Sequence, residues 1–172
     1  MPTVIIRPDA IGAEAGFDQS GPNLLSRIND NDTGTAINQN QTSANFNVGM
    51  GNSSDYSGAT INNVVVSITG NTINSKVPEL GVEVVLRDGS SGLQSSTLTF
   101  TPTESTESTA AYSTSLTPSI VDAFVVAVTP SALGIFIKEV FITVDYTAAA
   151  SGGGTITLSS GKITLTSGKI TL

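Results

Sequence analysis

The chain has 172 residues, of which 38% are hydrophobic and 12% charged, and its formal net charge is -7. This length suits one domain with an appendage, and the acidic balance argues against nucleic acid and anionic membrane surfaces as partners. Because the sequence has neither His nor Cys, it excludes the commonest general base, thiolate chemistry, disulfides and most zinc sites.

Strand patterns begin near the N-terminus and recur through the first half of the chain. Residues 3–7 form a short apolar segment that ends at Pro8, which cannot donate to a strand ladder. Residues 9–34 are rich in Gly, Asp, Asn and Pro, which predicts a loop. Alternation of apolar and polar residues then predicts strands at 44–48, 60–69 and 82–87, followed by a turn at 88–92.

The second half of the chain continues the same pattern with longer apolar segments. Strands are predicted at 96–100, near 110–114, at 120–129 and at 135–147. In the last of these the alternation slips once near Lys138 and Glu139, which predicts a β-bulge. No window has helical periodicity, so the fold class is all-β. We predict a two-sheet antiparallel β-sandwich of jelly-roll type, with six to eight strands and an extended C-terminal strand-repeat tail.

The C-terminal segment repeats a short strand motif. Residues 155–158 read Thr-Ile-Thr-Leu, and residues 159–165 and 166–172 each end in Gly-Lys-Ile-Thr-Leu. We therefore divide the chain into a β-sandwich domain (1–147), an Ala/Gly linker (148–154) and an assembly arm (155–172). The predicted partner-binding residues of the arm are its apolar positions, Ile156, Leu158, Ile163, Leu165, Ile170 and Leu172.

The period of this repeat restricts how the arm folds. Because the side chains of a strand alternate with a period of two, a repeat of seven residues would place successive units on opposite faces of one flat strand. Either the chain turns at each Ser-Gly, or neighbours cover both faces. Both arrangements need a supporting surface.

The order of the strand motifs is similar to that of a β-sandwich family of tailed-bacteriophage structural proteins. The matching segments are residues 3–8, 28–33, 59–70, 82–87 and 137–146, and the resemblance covers about residues 3–147. It implies a jelly-roll module that serves as a decoration, fibre or adaptor part of a virion.

Candidate chemistry is sparse. The run from Asn29 to Asp32 offers oxygen ligands, so Asp30 and Asp32 are the candidate pair for Ca²⁺, although Asx-turns explain the same residues. A Ser-x-x-Lys pattern links Ser159 to Lys162, but it lacks the helix on which serine-lysine enzymes depend. We predict no catalytic residues, no cofactor-binding residues and no enzyme activity, and Ca²⁺ is the one cofactor alternative.

These observations favour a non-enzymatic virion structural protein. The first hypothesis is a capsid decoration or cement protein that forms homo-oligomers, assembles in the host cytoplasm, and binds a major capsid or other virion protein through its arm. The alternatives are a tail or fibre adaptor and a carbohydrate-binding or receptor-binding module. Tyr56 and Tyr112 are the candidate sugar contacts of that module.

Overall fold

The computed structural model describes residues 1–15, 24–29, 34–38, 44–73, 78–89, 91–149, 156–159 and 162–165. In these ranges the chain forms two short helices, α1 (Leu24–Ile28) and α2 (Pro118–Val121), and a 3-10 turn at Ser54–Tyr56. The strands are β1 (Thr3–Ile6), β2 (Pro8–Ala15), β3 (Ile37–Asn38), β4 (Asn45–Met50), β5 (Thr60–Thr72), β6 (Leu80–Asp88), β7 (Ser91–Phe100), β8 (Ser105–Ser108), β9 (Phe124–Pro130), β10 (Ile135–Thr147), β11 (Ile156–Ser159) and β12 (Lys162–Leu165).

Ten of these strands form two antiparallel sheets, which face each other across one core. The first sheet has the order β1-β10-β5-β8, with β3 also paired to β10. The second sheet has the order β2-β4-β9-β6-β7. The prediction of an all-β, two-sheet sandwich is confirmed. No helix among the described residues is both long enough and apolar enough to span a membrane.

The core follows from the two-residue alternation of the long strands. In β5 the fully buried residues are Val64, Val66 and Ile68, so the residues between them lie on the outer face of the first sheet. Residues of β4, β6 and β9 alternate in the same way and pack against them, and the largest fully buried side chains of the core are Tyr56, Phe46, Phe100 and Phe124. Burial of these apolar faces is the main stabilising contribution to the sandwich.

The predicted β-bulge in β10 is confirmed. The pairing of β10 with β5 shifts register between Ile137 and Glu139. Ile137 and Val140 are both in the core, and two residues rather than one lie between them. Both Lys138 and Glu139 are therefore displaced from the core face of the strand, as expected where an extra residue is inserted into one strand of a pair.

The prediction of a loop over residues 9–34 is wrong in two places. The chain does not end its strand structure at Pro8; it leaves the first sheet after Ile6 and enters the second sheet as β2, where Pro8 pairs with Met50. Pro8 suits this position because the first residue of a strand need not donate to the ladder. Helix α1 was also missed, because five residues are too few to establish a helical period.

Several other short elements were outside the sequence prediction. Strand β8 lies at 105–108, a few residues before the predicted strand near 110–114, where only Tyr112 forms an isolated bridge to Val64. Helix α2 occupies the start of the predicted strand 120–129. Its Thr117 caps the helix by accepting a hydrogen bond from the backbone N–H of Ile120, and Pro118 starts it, both common N-terminal signals.

The first two units of the C-terminal repeat pair with each other. Strands β11 and β12 form an antiparallel hairpin in which Ile156 is opposite Leu165 and Leu158 is opposite Ile163. The chain thus turns between the units, and this is one of the two arrangements that the odd period allows. Ile170 and Leu172, like Asp30 and Asp32, lie outside the described residues.

Candidate functional site: the outer face of the first sheet

The outer face of the first sheet carries a cluster of polar and aromatic residues that the core does not use. Its members come from β10, from β5 and from the residue that joins β1 to β2. We call this surface the Arg7 face and define it by Arg7, Val65, Ser67, Thr69, Glu139 and Phe141. The strand registers set Phe141 opposite Ser67 and Glu139 opposite Thr69.

Arg7 is positioned by the change of sheet between β1 and β2. Its backbone carbonyl accepts a hydrogen bond from the N–H of Gly51, with N···O 2.9 Å, which joins this residue to the end of β4. Its side chain instead lies over the first sheet, where the guanidinium carbon is 5.9 Å from the centre of the Phe141 ring. At this distance a cation is attracted by the negative face of an aromatic ring.

Glu139 is the most deeply buried ionisable side chain on this face. Its side chain is 9% exposed, and its Oε1 lies 3.9 Å from a terminal nitrogen of Arg7, whose side chain is 28% exposed. The bulge accounts for this placement, because it adds a residue to β10 and carries Glu139 out of the core. Among the described residues Oε1 has no hydrogen-bond partner. A buried polar atom in this state is costly, so a donor from outside the described residues is expected.

Two pairs of hydroxyl groups extend the polar surface toward the edge of the sheet. The Ser67 and Ser108 oxygens are 2.9 Å apart, and the Thr69 and Thr106 oxygens are 2.8 Å apart. Ser67 and Thr69 are buried, whereas Ser108 and Thr106 are exposed, so the hydroxyl groups of β8 are the ones that can donate elsewhere. These side chains are held on paired strands, which gives them fixed positions beside Phe141 and Glu139.

The second cation near this face also has an acidic partner. Lys138, on the same bulge as Glu139, forms an ion pair with Glu104 just before β8. In the described part of the chain, Arg7 with Glu139 and Lys138 with Glu104 are the two ion pairs. The positive groups beside the Arg7 face are thus matched by carboxylates.

The tyrosines named as sugar contacts take structural positions instead. Tyr56 is 0% exposed, and its hydroxyl donates to Oδ1 of Asp122 at 2.5 Å. Burial and this hydrogen bond raise the pKa of the Tyr56 hydroxyl well above its ordinary value, so it stays protonated in the folded protein. Tyr112 is half-buried, and its backbone pairs with Val64. The prediction of Tyr56 as an accessible sugar contact is therefore wrong, because the ring fills the core.

The outer face of the second sheet differs in chemistry. Its residues include Val85 and Ala127, which are paired in the register of β6 with β9, and its carboxylate Glu83 is exposed. The hydroxyl of Ser95 donates to Glu83 at 3.1 Å, so this carboxylate has a partner of its own. The Arg7 face, with a buried acceptor in need of a donor, is therefore the stronger candidate for a binding site.

The described residues contain no group of three or more His, Cys, Asp or Glu side chains that could hold a metal ion. The candidate Ca²⁺ ligands Asp30 and Asp32 are outside those residues, so that hypothesis stays a prediction. The Arg7 face was not among the sites predicted from the sequence. The available signal was an acidic residue, Glu139, at the point where the alternation of β10 slips.

Solved structures share the fold of this chain, but no comparison with known proteins assigns the chain to a family. No family model matches the sequence, and no curated protein does. Among solved structures, the chain is similar to the C-terminal family 6 carbohydrate-binding module of LamC, a marine laminarinase from Zobellia galactanivorans. The TM-score is 0.51 at 11% identity, and the match covers 83% of this chain and 98% of that one.

A second solved structure with the same fold is truncated AlyQ, which has family 32 carbohydrate-binding and alginate lyase domains. It matches with a TM-score of 0.50 and 18% identity, over 90% of this chain and 36% of that one. At such low identity, both similarities concern the arrangement of the strands. They agree with the sandwich described above.

Proposed function

We propose that this chain is a non-catalytic carbohydrate-binding protein that holds a glycan on the Arg7 face. The observation that carries this proposal is the buried Oε1 of Glu139, an acceptor without a hydrogen-bond donor among the described residues and next to Arg7. The similar sandwich in LamC is named as a carbohydrate-binding module, and AlyQ contains another. These similarities support the proposal at the level of the fold.

The groups on the Arg7 face suit the two surfaces of a sugar ring. A sugar presents apolar C–H groups on its faces and hydroxyl groups around its rim. Phe141 and Val65, both half-buried, offer apolar contact, and Ile5 at 52% exposure extends it on the neighbouring strand. Arg7 supplies donors, whereas Glu139 supplies an acceptor. Binding sites of this kind combine apolar area with a few fixed polar groups.

The same groups do not form the arrangement of a glycoside hydrolase. Such enzymes generally need two carboxylates on opposite sides of the scissile bond. Glu139 and Glu104 are each engaged by a cation, and Asp145, farther along β10, accepts hydrogen bonds from Asn62 and Asn63. This engagement supports a binding role without catalysis.

The proposal predicts that Phe141→Ala weakens glycan binding on the order of 10-fold or more, because a central contact of a binding face is lost. A glycan array identifies a ligand, and calorimetric titration then gives the Kd of each variant. Val85→Ala, a half-buried position on the outer face of the second sheet, is the matched control and should leave the Kd unchanged. Equal Kd values for the parent and Phe141→Ala would contradict the proposed site.

As a second candidate function, we propose that the C-terminal repeat is an assembly arm, as in a virion structural protein. The observation that favours it is the hairpin, in which one repeat unit pairs with the next. A sequence that pairs with its own repeat can pair equally with the repeat of another copy, because among the described residues neither edge of this hairpin pairs with a third strand. The virion location and the capsid partner remain predictions.

Deletion of residues 151–172 tests the arm. We expect the truncated chain to lose self-association in light scattering and incorporation into particles, because the pairing strands are gone. The thermal melting temperature of the sandwich should stay the same, because the core residues that the structure describes precede the deletion. Unchanged mass and normal incorporation would rule out an assembly role.

A further inference from the structure

We infer that the Arg7 face selects uncharged sugars over their acidic counterparts, with a sugar hydroxyl donating to Oε1 of Glu139. This inference rests on the proposed carbohydrate-binding function and narrows it to a class of ligand. Three features of the described residues carry it: the hydrogen-bonding needs of Glu139, the pairing of charges around it, and the depth at which its side chain lies.

The first feature is that Glu139 needs a donor. A carboxylate oxygen only accepts hydrogen bonds, so its missing partner must carry an O–H or N–H group. Oε1 is buried although 9% of the side chain is exposed, so a donor reaches it only when the partly exposed Arg7 side chain moves aside. Sugar hydroxyls are small, numerous donors on a rigid ring, and they meet this requirement. A ligand carboxylate brings no donor.

The second feature is that the positive charge of Arg7 is already matched. Its guanidinium lies 3.9 Å from Oε1 of Glu139, so an acidic ligand drawn toward Arg7 would also come close to this carboxylate. Lys138 is similarly engaged by Glu104. An anionic sugar would therefore meet like charge at the surface where a neutral sugar forms a hydrogen bond.

The third feature is that burial strengthens this discrimination. Water and salt screen exposed charges well, but they screen a nearly buried carboxylate much less. The whole chain reinforces the local effect, because its 14 acidic residues outnumber the seven basic ones and repel polyanions at longer range. Selection against acidic glycans thus has both a local and a general contribution.

Matched pairs of oligosaccharides test the inference. We would titrate the full chain with mannan, glucan and galactan oligosaccharides and with their uronate counterparts, in which the primary alcohol is oxidised to a carboxylate. In at least one pair the neutral member should bind on the order of 10-fold or more tighter, because the uronate adds a charge beside Glu139. Raising the NaCl concentration should strengthen uronate binding and leave the Kd of the neutral sugar nearly constant.

Variants assign the discrimination to Glu139. Glu139→Gln keeps the shape and an acceptor oxygen but removes the charge, so it should weaken neutral binding and strengthen uronate binding. The ratio of the two Kd values should fall on the order of 10-fold. Glu83→Gln, which alters the exposed carboxylate on the outer face of the second sheet, is the control and should leave both Kd values unchanged.

The outcomes separate this inference from the proposed function. If no glycan on the array or in the pairs binds, the proposed function fails. If uronates bind as tightly as neutral sugars, or tighter, the chain is a glycan binder and the selectivity inference fails. An unchanged ratio in Glu139→Gln, with circular dichroism matching the parent, would likewise overturn the role of Glu139. If that variant does not fold, titrations of the unaltered chain at high NaCl decide the matter: salt screens the long-range charge, so a preference for the neutral sugar that persists there supports the buried carboxylate, and its disappearance contradicts it.

Discussion

Replacement of Phe100 by alanine is expected to lower the free energy of unfolding by about 3–5 kcal/mol. Phe100 is fully buried at the end of β7 and reaches the opposite sheet, where a Cβ built on Gly70 would be 3.6 Å from its ring. Gly70 has no side chain that could fill the space left by the Phe100 ring. A larger residue does not fit there, because its Cβ would be 2.6 Å from the carbonyl oxygen of Phe136. The alanine variant therefore leaves a cavity between the sheets.

Urea denaturation followed by circular dichroism measures this loss. Leu133→Ala is the control, because Leu133 is 42% exposed and its truncation removes little buried area. We expect the control to change stability by less than about 0.5 kcal/mol. A loss below about 1 kcal/mol in Phe100→Ala would mean that the two sheets do not pack through this residue.

Arg7→Met is expected to destabilise the fold by about 3 kcal/mol, near the lower end of the range for breaking a buried ion pair. The methionine keeps most of the apolar contact with Phe141 but leaves the Glu139 carboxylate without its cation. The partial exposure of Arg7 lets water reach the site, which keeps the effect from being larger. Adding Glu139→Gln to Arg7→Met should recover much of the lost free energy of unfolding, because the carboxylate then no longer carries a charge.

A double-mutant cycle with Arg7→Met and Glu139→Gln measures the coupling between the two residues. We expect the double variant to be more stable than the sum of the two single effects predicts, by about 1–2 kcal/mol. Arg87→Met is the control, since Arg87 forms no ion pair with any described residue. Additive effects within about 0.3 kcal/mol would show that the pair is not coupled.

The long strands could be predicted because their alternation is strong. Strands β5, β6 and β10 each combine many β-branched residues with a two-residue period, and the turn after Asp88 contains Gly89 at a φ of 55°. The slip at Lys138 and Glu139 was visible for the same reason. A single extra residue interrupts a pattern that is regular on both sides.

Short and polar elements could not be predicted. Strand β8 reads Ser-Thr-Glu-Ser, and its place in the sheet depends on hydrogen bonds to β5 rather than on an apolar period. Strand β2 lies in a segment whose Gly and Asp residues resemble a loop, and only pairing with β4 makes it a strand. In both elements, tertiary pairing outweighs local preference.

The candidate site was missed for a different reason. Arg7, Ser67 and Glu139 are far apart in the sequence and meet only because β1, β10 and β5 are neighbours in the first sheet. The sequence suggested Tyr56 by its residue type, whereas burial decides accessibility and places that ring in the core. Residue type alone does not distinguish an aromatic binding residue from an aromatic core residue.

The most direct test of the central claim is amide chemical-shift mapping of the labelled chain during titration with a neutral glycan chosen from the array. We expect the largest changes at Arg7, Ser67, Glu139 and Phe141, with little change at Val85 and Ala127 on the outer face of the second sheet. Changes confined to Val85, Ala127 and their neighbours, with the Arg7 face unaffected, would contradict the claim.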